Sequence, residues 1–397
     1  MIQSVIHAAP PPFNHAHNAG TMNPSRLKDS TRAVINLGAF RHNIGCVRSY
    51  CGKGTGIMAV VKANAYGHGM IELSREAVRA GVDSLAVARV SEAIEIRMSG
   101  ITHPLLVFEV PPPSLIDAAI AEGITLSVST AEGAAAVSAV ASQRGGNAEV
   151  HVKVDTGMGR LGFPDHTAPE EIGSLIRLPR LKLAGVYSHF ATSEDQDATF
   201  ARAQIARFNE VIERLRSLGI EIPLRHMANS GAVISLPDAR FDMVRPGIML
   251  YGYPPSPLMA ERHPVRPVMS LLSKISMLRR IGRGTSISYG RRFVAPGSTI
   301  IATVPAGYGD GYTRLLTGRA FALIRGNVCP VVGTICMDHL MIDVGAAPDC
   351  QAGDDVTLIG TDEGHSITAW DIAKTLGTIP YEVTCFISDR VPRIFVA

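Results

Sequence analysis

No stretch of this 397-residue chain approaches the ~20 consecutive apolar residues of a membrane-spanning helix, so no membrane is expected as a partner. No long run of Lys or Arg occurs, and 38 basic residues against 35 acidic ones leave a formal net charge of +3. So even a balance argues against nucleic acid as a partner. The six cysteines, Cys46, Cys51, Cys329, Cys336, Cys350 and Cys385, include no Cys-x-x-Cys pair. Their spacing suggests neither a zinc site nor a disulfide framework, and free thiols in a reducing cytoplasm are the expectation. The first 25 residues lack a basic segment followed by an apolar one, so they do not read as a secretory signal. They contain Pro10-Pro11-Pro12 and His15-x-His17. That histidine pair could bind a metal, but the segment reads as a solvated, flexible tail, and no metal is expected.

With 46% hydrophobic and only 18% charged residues, the chain can build a sizeable core. From about residue 31 its texture alternates. Apolar strand candidates are 57–61, 84–88, 105–110, 125–128, 149–154, 183–189, 224–228 and 242–244. Helix-like segments at 69–80, 91–99, 114–121, 130–142 and 198–218 lie between them. Seven or eight β-then-α units in series predict a parallel sheet. Eight over roughly 220 residues match a (β/α)8 barrel of the TIM type. A Gly-x-Gly-x-x-Gly after the first strand would favour an open doubly wound sheet, and none is there. Pro254-Pro255-Ser256-Pro257 reads as a linker. Beyond it, short β-prone runs at 268–281, 297–302, 320–324, 328–332, 340–344, 355–359 and 393–396 predict a mostly antiparallel β domain. Residues 31–35 are expected to pair with that domain. One helix is predicted there at 367–376, with Ser366 as its N-cap. The expected organisation is a tail at 1–25, a barrel at 26–265 and a C-terminal β domain at 266–397.

Chemistry concentrates where the strands end. Ala59-Val60-Val61 stops abruptly at Lys62, and Tyr66, Gly67 and Gly69 follow. A lysine that snorkels out of a strand end is the ordinary reading. A covalent imine to an aldehyde is the chemical one. In a (β/α)8 barrel the active site lies at the C-terminal ends of the strands. Lys153, Asp155 and Arg160 follow one strand, and His189 ends another. His226, Asn229 and Ser230 mark a third, and Arg245 and Gly247 a fourth. Each cluster alone could be structural. Together they converge on one rim.

These residues sit in motifs. They are Val-Val-Lys62-Ala-Asn-Ala-Tyr66-Gly-His-Gly, Lys153-Val-Asp-Thr-Gly-Met-Gly-Arg160-Leu-Gly, Ser188-His189-Phe-Ala, Ala228-Asn229-Ser230, Arg245-Pro-Gly247-Ile248, Ser288-Tyr289-Gly290 and Cys336-Met337-Asp338. In this order the chain resembles the pyridoxal-phosphate-dependent alanine racemases of fold type III, from about residue 31 to its end. The resemblance implies a barrel, a C-terminal β domain and a homodimer whose active sites take residues from both subunits. It implies pyridoxal 5'-phosphate as cofactor and an amino acid as substrate. The expected reaction is two-base interconversion of L- and D-alanine in the cytoplasm, supplying D-alanine for peptidoglycan.

Roles follow residue by residue from the resemblance. Lys62 is implied to hold the cofactor and to act as one base, on the D face. Tyr289, from the partner subunit, is implied as the L-face base. Removing a proton on one face of Cα and delivering it on the other needs two such groups. A phenol is a weak base unless its anion is stabilised, and His189 is the group the sequence offers. Arg245 is implied to face the pyridine nitrogen, where an always-charged guanidinium cannot take the proton. His226 is implied to hold Arg245. Arg160 and Met337 are implied to bind the substrate carboxylate. Lys153 matches a lysine that many family members carry as a carbamate: as a carbamate it would orient Arg160, and as an ammonium it would repel it. Tyr66, Ser230, Tyr381, Gly247 and Ile248 are implied to hold the phosphate, with Asn229 beside them. Tyr308 and Tyr381 would narrow the access route, with Asp310 and Arg314 along it.

Two departures stand out. Thr334 occupies a position where arginine is frequent, and Ser193-Glu194-Asp195 replaces a more usual Ala-Asp-Glu. Both are expected on the outer corridor. A broader or serine-preferring racemase is the alternative, since one methylene changes a pocket by only ~1–3 kcal/mol. A decarboxylase of the same fold type would want a carboxylate at the ring nitrogen, against Arg245. A non-catalytic cofactor carrier would lack the β domain that holds Tyr289.

Overall fold

The computed structural model describes residues 29–262 and 264–397. The predicted tail and its His15-x-His17 pair lie outside the described residues. Eight parallel strands close on themselves: Gly56–Val60, Ser84–Val87, Leu105–Val107, Thr125–Val128, Ala148–Asp155, Leu181–Tyr187, Arg225–His226 and Met243–Val244. Neighbours pair in this order, and the last closes on the first with Met243 opposite Gly56. Ile57, Met58 and Ala59 are all buried, as expected where helices cover the outside and side chains fill the inside. This is the predicted TIM-type barrel.

Most of the predicted helices form within a residue or two of their expected ends. Leu37–Cys51 is a helix the sequence reading does not contain. Its signal was available: the Asn36 side chain accepts from the Ala39 N–H at 2.8 Å, and Phe40, Ile44 and Val47 form one buried stripe.

The second domain is a ten-stranded sheet, antiparallel except at one edge. There Arg32–Asn36 pairs parallel to Arg393–Val396 and antiparallel to Met269–Lys274, as expected for the segment before the barrel. Three corrections apply. The run 268–281 is two strands, Met269–Lys274 and Met277–Ile281. It breaks at Ile275-Ser276, where the chain leaves Asp355–Asp362 and joins Thr299–Val304. The helix predicted at 367 begins at Ala369, and its cap is Thr368, not Ser366. Thr368 Oγ1 accepts from the Asp371 N–H at 3.2 Å, and Asp371 answers by accepting from the Thr368 N–H at 2.8 Å. Ser366 instead lies on the short strand His365–Ile367. Finally, Pro254 and Pro255 are buried rather than a free linker, and the Trp370 indole donates to the Pro254 carbonyl.

The helix Pro380–Cys385 brings the second domain onto the barrel mouth. A Cβ at Gly67 would meet the Thr384 carbonyl oxygen at 2.2 Å, so only glycine allows this approach. The Arg393 side chain donates to the Gly67 carbonyl at 3.0 Å and ties the two parts together.

Candidate active site

Lys62 follows the first barrel strand and opens a turn of unusual hand. Ala63, Asn64, Ala65 and Tyr66 all have φ near +52 to +54°. Left-handed residues of this kind cost roughly 1–2 kcal/mol each. Side chains fix the turn. Glu92 accepts from the Ala63 N–H, and Asn64 accepts from the Met70 N–H at 2.8 Å. His68 Nδ1 donates to the carbonyls of Ala65 and Tyr66, at 3.0 and 2.8 Å. Those carbonyls can only accept, so the proton is on Nδ1. Burial pulls His68 down to about 4, and it is neutral. Lys62 thereby stands at the rim of the barrel. Burial first, and then the nearby Arg160 charge, hold its amine below the ordinary lysine value.

A cavity of about 340 Å³ lies over the strand ends. Its lining includes Lys62, Tyr66, Lys153, Arg160, His189, Asn229, Ser230, Arg245, Gly247, Ile248 and Tyr381. Of the residues expected to act as bases or to hold cofactor or substrate, all but Tyr289 and Met337 are gathered in one place, while His226, Tyr308, Asp310 and Arg314 lie outside the lining.

Arg245 is the fixed centre of the floor. It is 3% exposed, and burial lowers it to about 10, so it stays charged near neutrality. It donates to the carbonyls of Ser188 and Met227, at 2.6 and 3.0 Å. It also donates to His226 Nδ1 at 2.7 Å and to His189 Nδ1 at 3.2 Å. A guanidinium has no acceptor, so both histidines carry their proton on Nε2. His226 then donates from Nε2 to His151 Nδ1 at 2.7 Å. Burial and the Arg245 charge keep His226 and His189 well below the usual histidine range. His226 thus sits behind Arg245, as expected. His189 is neutral, so toward a phenol it offers an N–H and not a cation.

Lys153 is the anomaly of the site. It is 3% exposed, and its nitrogen has no hydrogen-bond partner and lies 4.9 Å from the centre of the Tyr187 ring. Burial, with Arg245 and Arg160 beside it, pulls it down to about 7. Arg160 is aimed by a loop folded around Asp155, which accepts from the N–H groups of Gly157, Met158 and Gly159 at 2.8–3.1 Å. A Cβ at Gly162 would meet the Asp155 nitrogen at 2.7 Å and Lys153 Cγ at 2.9 Å, at a φ of 122°. The glycine lets this loop close against its strand.

The opposite wall is built of hydroxyls. Ser230 Oγ accepts from the N–H groups of Gly247 and Met249, at 2.9 and 3.3 Å. A Cβ at Gly247 would meet Tyr66 Oη at 2.4 Å. Tyr66 packs on Tyr251 and Tyr381, with ring centroids 4.6 and 5.9 Å apart. Burial raises the Tyr66 and Tyr381 phenols, so both remain donors. The Asn229 side chain caps the helix Ser230–Ser235.

Tyr289 and Met337 lie elsewhere, 71% and 53% exposed on the β domain. Tyr289 sits in the turn of a two-stranded ribbon, Ser286–Ile287 with Phe293–Val294. Ser288 precedes it at φ 63° and ψ −175°, a glycine-like conformation that costs about 1–3 kcal/mol. The Tyr308 and Gly309 N–H groups donate to the carbonyls of Cys336 and Met337, at 3.0 and 2.9 Å. Ser288 Oγ lies 3.4 Å from Cys336 Sγ. Tyr289, Tyr308 and Met337 thus share one exposed region, a second and separate set of groups.

The outer-corridor expectations need correction. Asp310 is buried, accepts from the Gly307 N–H at 2.8 Å and pairs with Arg390 at 2.9 Å. It is structural, while Arg314 is exposed. Thr334 is 1% exposed and bonded to the Tyr289 turn. Ser193 is buried, with Oγ 2.8 Å from Asn229 Oδ1. Both departures lie beside site residues, not out along a corridor.

Other residues of the site were not anticipated. Phe108, Glu109 and Tyr187 line the cavity, and His151 and Gln204 support it from behind. Tyr187 stacks on His226 at 2°, and Lys153 Nζ and the Arg245 guanidinium stand over its ring at 4.9 and 5.2 Å. Period-two alternation from Lys153 and His189 would have found His151 and Tyr187.

The comparisons agree with this geometry. Residues 35–255 match the family model of the alanine racemase N-terminal domain, and 268–395 that of the alanine racemase C-terminal domain. The chain is 44% identical to alanine racemase 2 of Caldanaerobacter subterraneus, over 92% of this chain and 95% of that protein. It is 43% identical to the alanine racemase of Desulforamulus reducens, over 93% and 100%. The solved alanine racemase of Clostridium difficile superposes with a TM-score of 0.90 at 39% identity, over 94% and 97% of the two chains. That of Bacillus anthracis, solved with bound L-Ala-P, gives 0.88 at 34%, over 94% and 96%. Barrel, β domain, motif order and near full-length similarity coincide, and the chain belongs to the alanine racemase family.

Proposed function

We propose that this chain interconverts L- and D-alanine with pyridoxal 5'-phosphate, using Lys62 and Tyr289 as bases on opposite faces, and so supplies D-alanine for peptidoglycan. The observation that carries the reading is the cavity itself. It joins an amine of lowered basicity, a hydroxyl-lined glycine cradle and a buried, immobilised guanidinium. Those three features fit the aldehyde, the phosphate and the ring nitrogen of the cofactor. When bound, pyridoxal phosphate supplies an aldehyde for amines and a conjugated ring that spreads the charge left by a departing Cα proton.

The chain's own residues do the rest. Lys62 is the covalent anchor and the D-face base, and its lowered basicity keeps more free amine available near neutrality. Tyr66, Ser230 and Tyr381 hold the phosphate with the amides of Gly247 and Ile248, and Asn229 fixes the backbone beside them. Arg245 holds the ring nitrogen as a donor. It keeps its own proton and does not pass one on, because even lowered by burial to about 10 its guanidinium stays charged near neutrality. Arg160 and Met337 hold the substrate carboxylate. Tyr381 bounds a small space, which suits a methyl side chain.

Tyr289 and Met337 reach such a site from a second copy. Their exposure on the β domain, away from the chain's own cavity, supports a homodimer with shared sites. In this reading residues 26–265 bind the cofactor and 266–397 supply the second base. Lys153 becomes a carbamate: its neutral amine adds to carbon dioxide and releases a proton. The product anion would answer the cations that now surround an unpartnered nitrogen.

The test is racemisation of L-alanine by the purified protein, followed by optical rotation. Absorbance at the imine band is read before and after borohydride reduction. An inactivated enzyme with a pyridoxyl adduct on Lys62 is the expected result. No racemisation, or an adduct on another lysine, overturns the reading. Sedimentation decides the dimer, and carbon-13-labelled bicarbonate followed by NMR decides the carbamate.

A further inference from the structure

The Tyr289 phenol makes no hydrogen bond within the described chain, and its ring is largely in solvent. Nothing on its side chain fixes where it points. Its direction is set by its backbone, and that backbone is held from one side by a single buried residue. Thr334 Oγ1 donates to the Tyr289 carbonyl at 2.7 Å. Ser288 Oγ donates back to the Thr334 carbonyl at 2.6 Å. The two bonds form a reciprocal clamp across the turn. The approach depends on Gly333, where a Cβ would meet the Ile287 carbonyl oxygen at 2.9 Å and Ser288 Cβ at 3.0 Å, at φ 69°. The clamp also holds Ser288 in the glycine-like conformation that projects the next residue outward.

We infer that Thr334 is a positioning residue for the L-face proton transfer: its hydroxyl fixes the Tyr289 backbone and through it the reach of the phenol. The inference rests on the two-base reading and deepens it. A base displaced by about 1 Å can cost a hundredfold in rate, so one hydroxyl that sets a backbone can matter to a reaction it never touches. The Thr334 hydroxyl is 1% exposed and is engaged with the Tyr289 carbonyl. The hydroxyl's one hydrogen bond goes to Tyr289, so what the hydroxyl does to turnover passes through that turn. The effect must therefore be directional, falling on the L proton and not on the D proton.

The experiment compares Thr334→Val, Thr334→Ser and Ser288→Ala in the cofactor-loaded enzyme. Turnover is measured in both directions with alanine deuterated at Cα. Thr334→Val is expected to lower turnover about tenfold. Its isotope effect should rise with L-alanine and fall with D-alanine, because the phenol step becomes limiting in both directions. Thr334→Ser keeps the hydroxyl and should restore both isotope effects to their original values. Ser288→Ala opens the other half of the clamp and should repeat the directional signature, which keeps the test decisive if Thr334→Val does not fold. Unchanged turnover, or slowing with unchanged isotope effects, overturns the inference. The two-base reading fails separately, if Tyr289→Phe racemises as fast as the unaltered protein.

Discussion

Around Lys62 the backbone runs left-handed for four residues, and three side chains, of which only His68 is buried, hold it there. Glu92 grips one end, Asn64 the other, and His68 satisfies the carbonyls between. Around Tyr289 one strained serine and one reciprocal pair of hydroxyl bonds shape the turn, and the ring is left in solvent. Both turns present one reactive side chain. The first is completed within its own chain, with a cavity over it. The second is shaped within the chain but lacks a site to serve. That contrast is what the proposed shared active site would require of each half. The half that binds must be rigid before the partner arrives, and the half that reaches out must stay exposed until it does.

The largest expected effect tests the exposed half. Tyr289→Phe should lower racemisation by about a hundred- to ten-thousandfold. The melting temperature should stay unchanged, because the hydroxyl bonds to nothing among the described residues. A matching loss of stability would break the comparison, since it would mean that the turn is part of the fold's own support. Next comes the cradle of the buried half. Gly247→Ala drives a methyl into Tyr66 Oη at 2.4 Å, and strain of about 1–3 kcal/mol is expected in the barrel mouth. Weaker cofactor retention during dialysis, read by absorbance, is the accompanying sign.

Acid should loosen the lysine turn first. His68 is neutral and held at about 4 when folded, against an ordinary value near 6.5. Below about 6.5 the unfolded chain therefore binds a proton that the folded chain refuses. Stability present above that pH is lost as pH falls toward the folded value, by about 2 kcal/mol between pH 7 and 5. Urea midpoints across this window measure it, and His68→Gln should flatten the slope by about one proton. An unchanged slope in that variant would assign the acid sensitivity elsewhere. The smallest effect belongs to Asn64→Ala. It removes the acceptor for the Met70 N–H and a residue type that tolerates the left-handed region, for about 1–2 kcal/mol. Thermal melts check it, and no loss would show that Glu92 and His68 suffice.

Much of this was legible in the residue order. Apolar runs between helical stripes placed the barrel strands, and the polar residues ending them placed the rim. What failed to show did so for identifiable reasons. Leu37–Cys51 was hidden because its buried stripe is interleaved with Arg41, His42 and Arg48. Thr368 lost the cap to Ser366 because an apolar Ile367 looked like a helix start, although Ile367 belongs to a strand. Tyr187 and His151 read as strand residues, and only barrel closure turns them toward Arg245.

The sequence by itself determined the strand-and-helix alternation, the motif order and the identity of nearly every group in the cavity. These depend on local periodicity and on residue chemistry, which a linear string carries. Only the tertiary structure decided which ring nitrogens hold protons, that Lys153 lacks a partner, that Thr334 grips Tyr289 and that Asp310 is buried. Each of those depends on which distant segments meet and how much water they exclude, and neither is written in the spacing of residues along the chain.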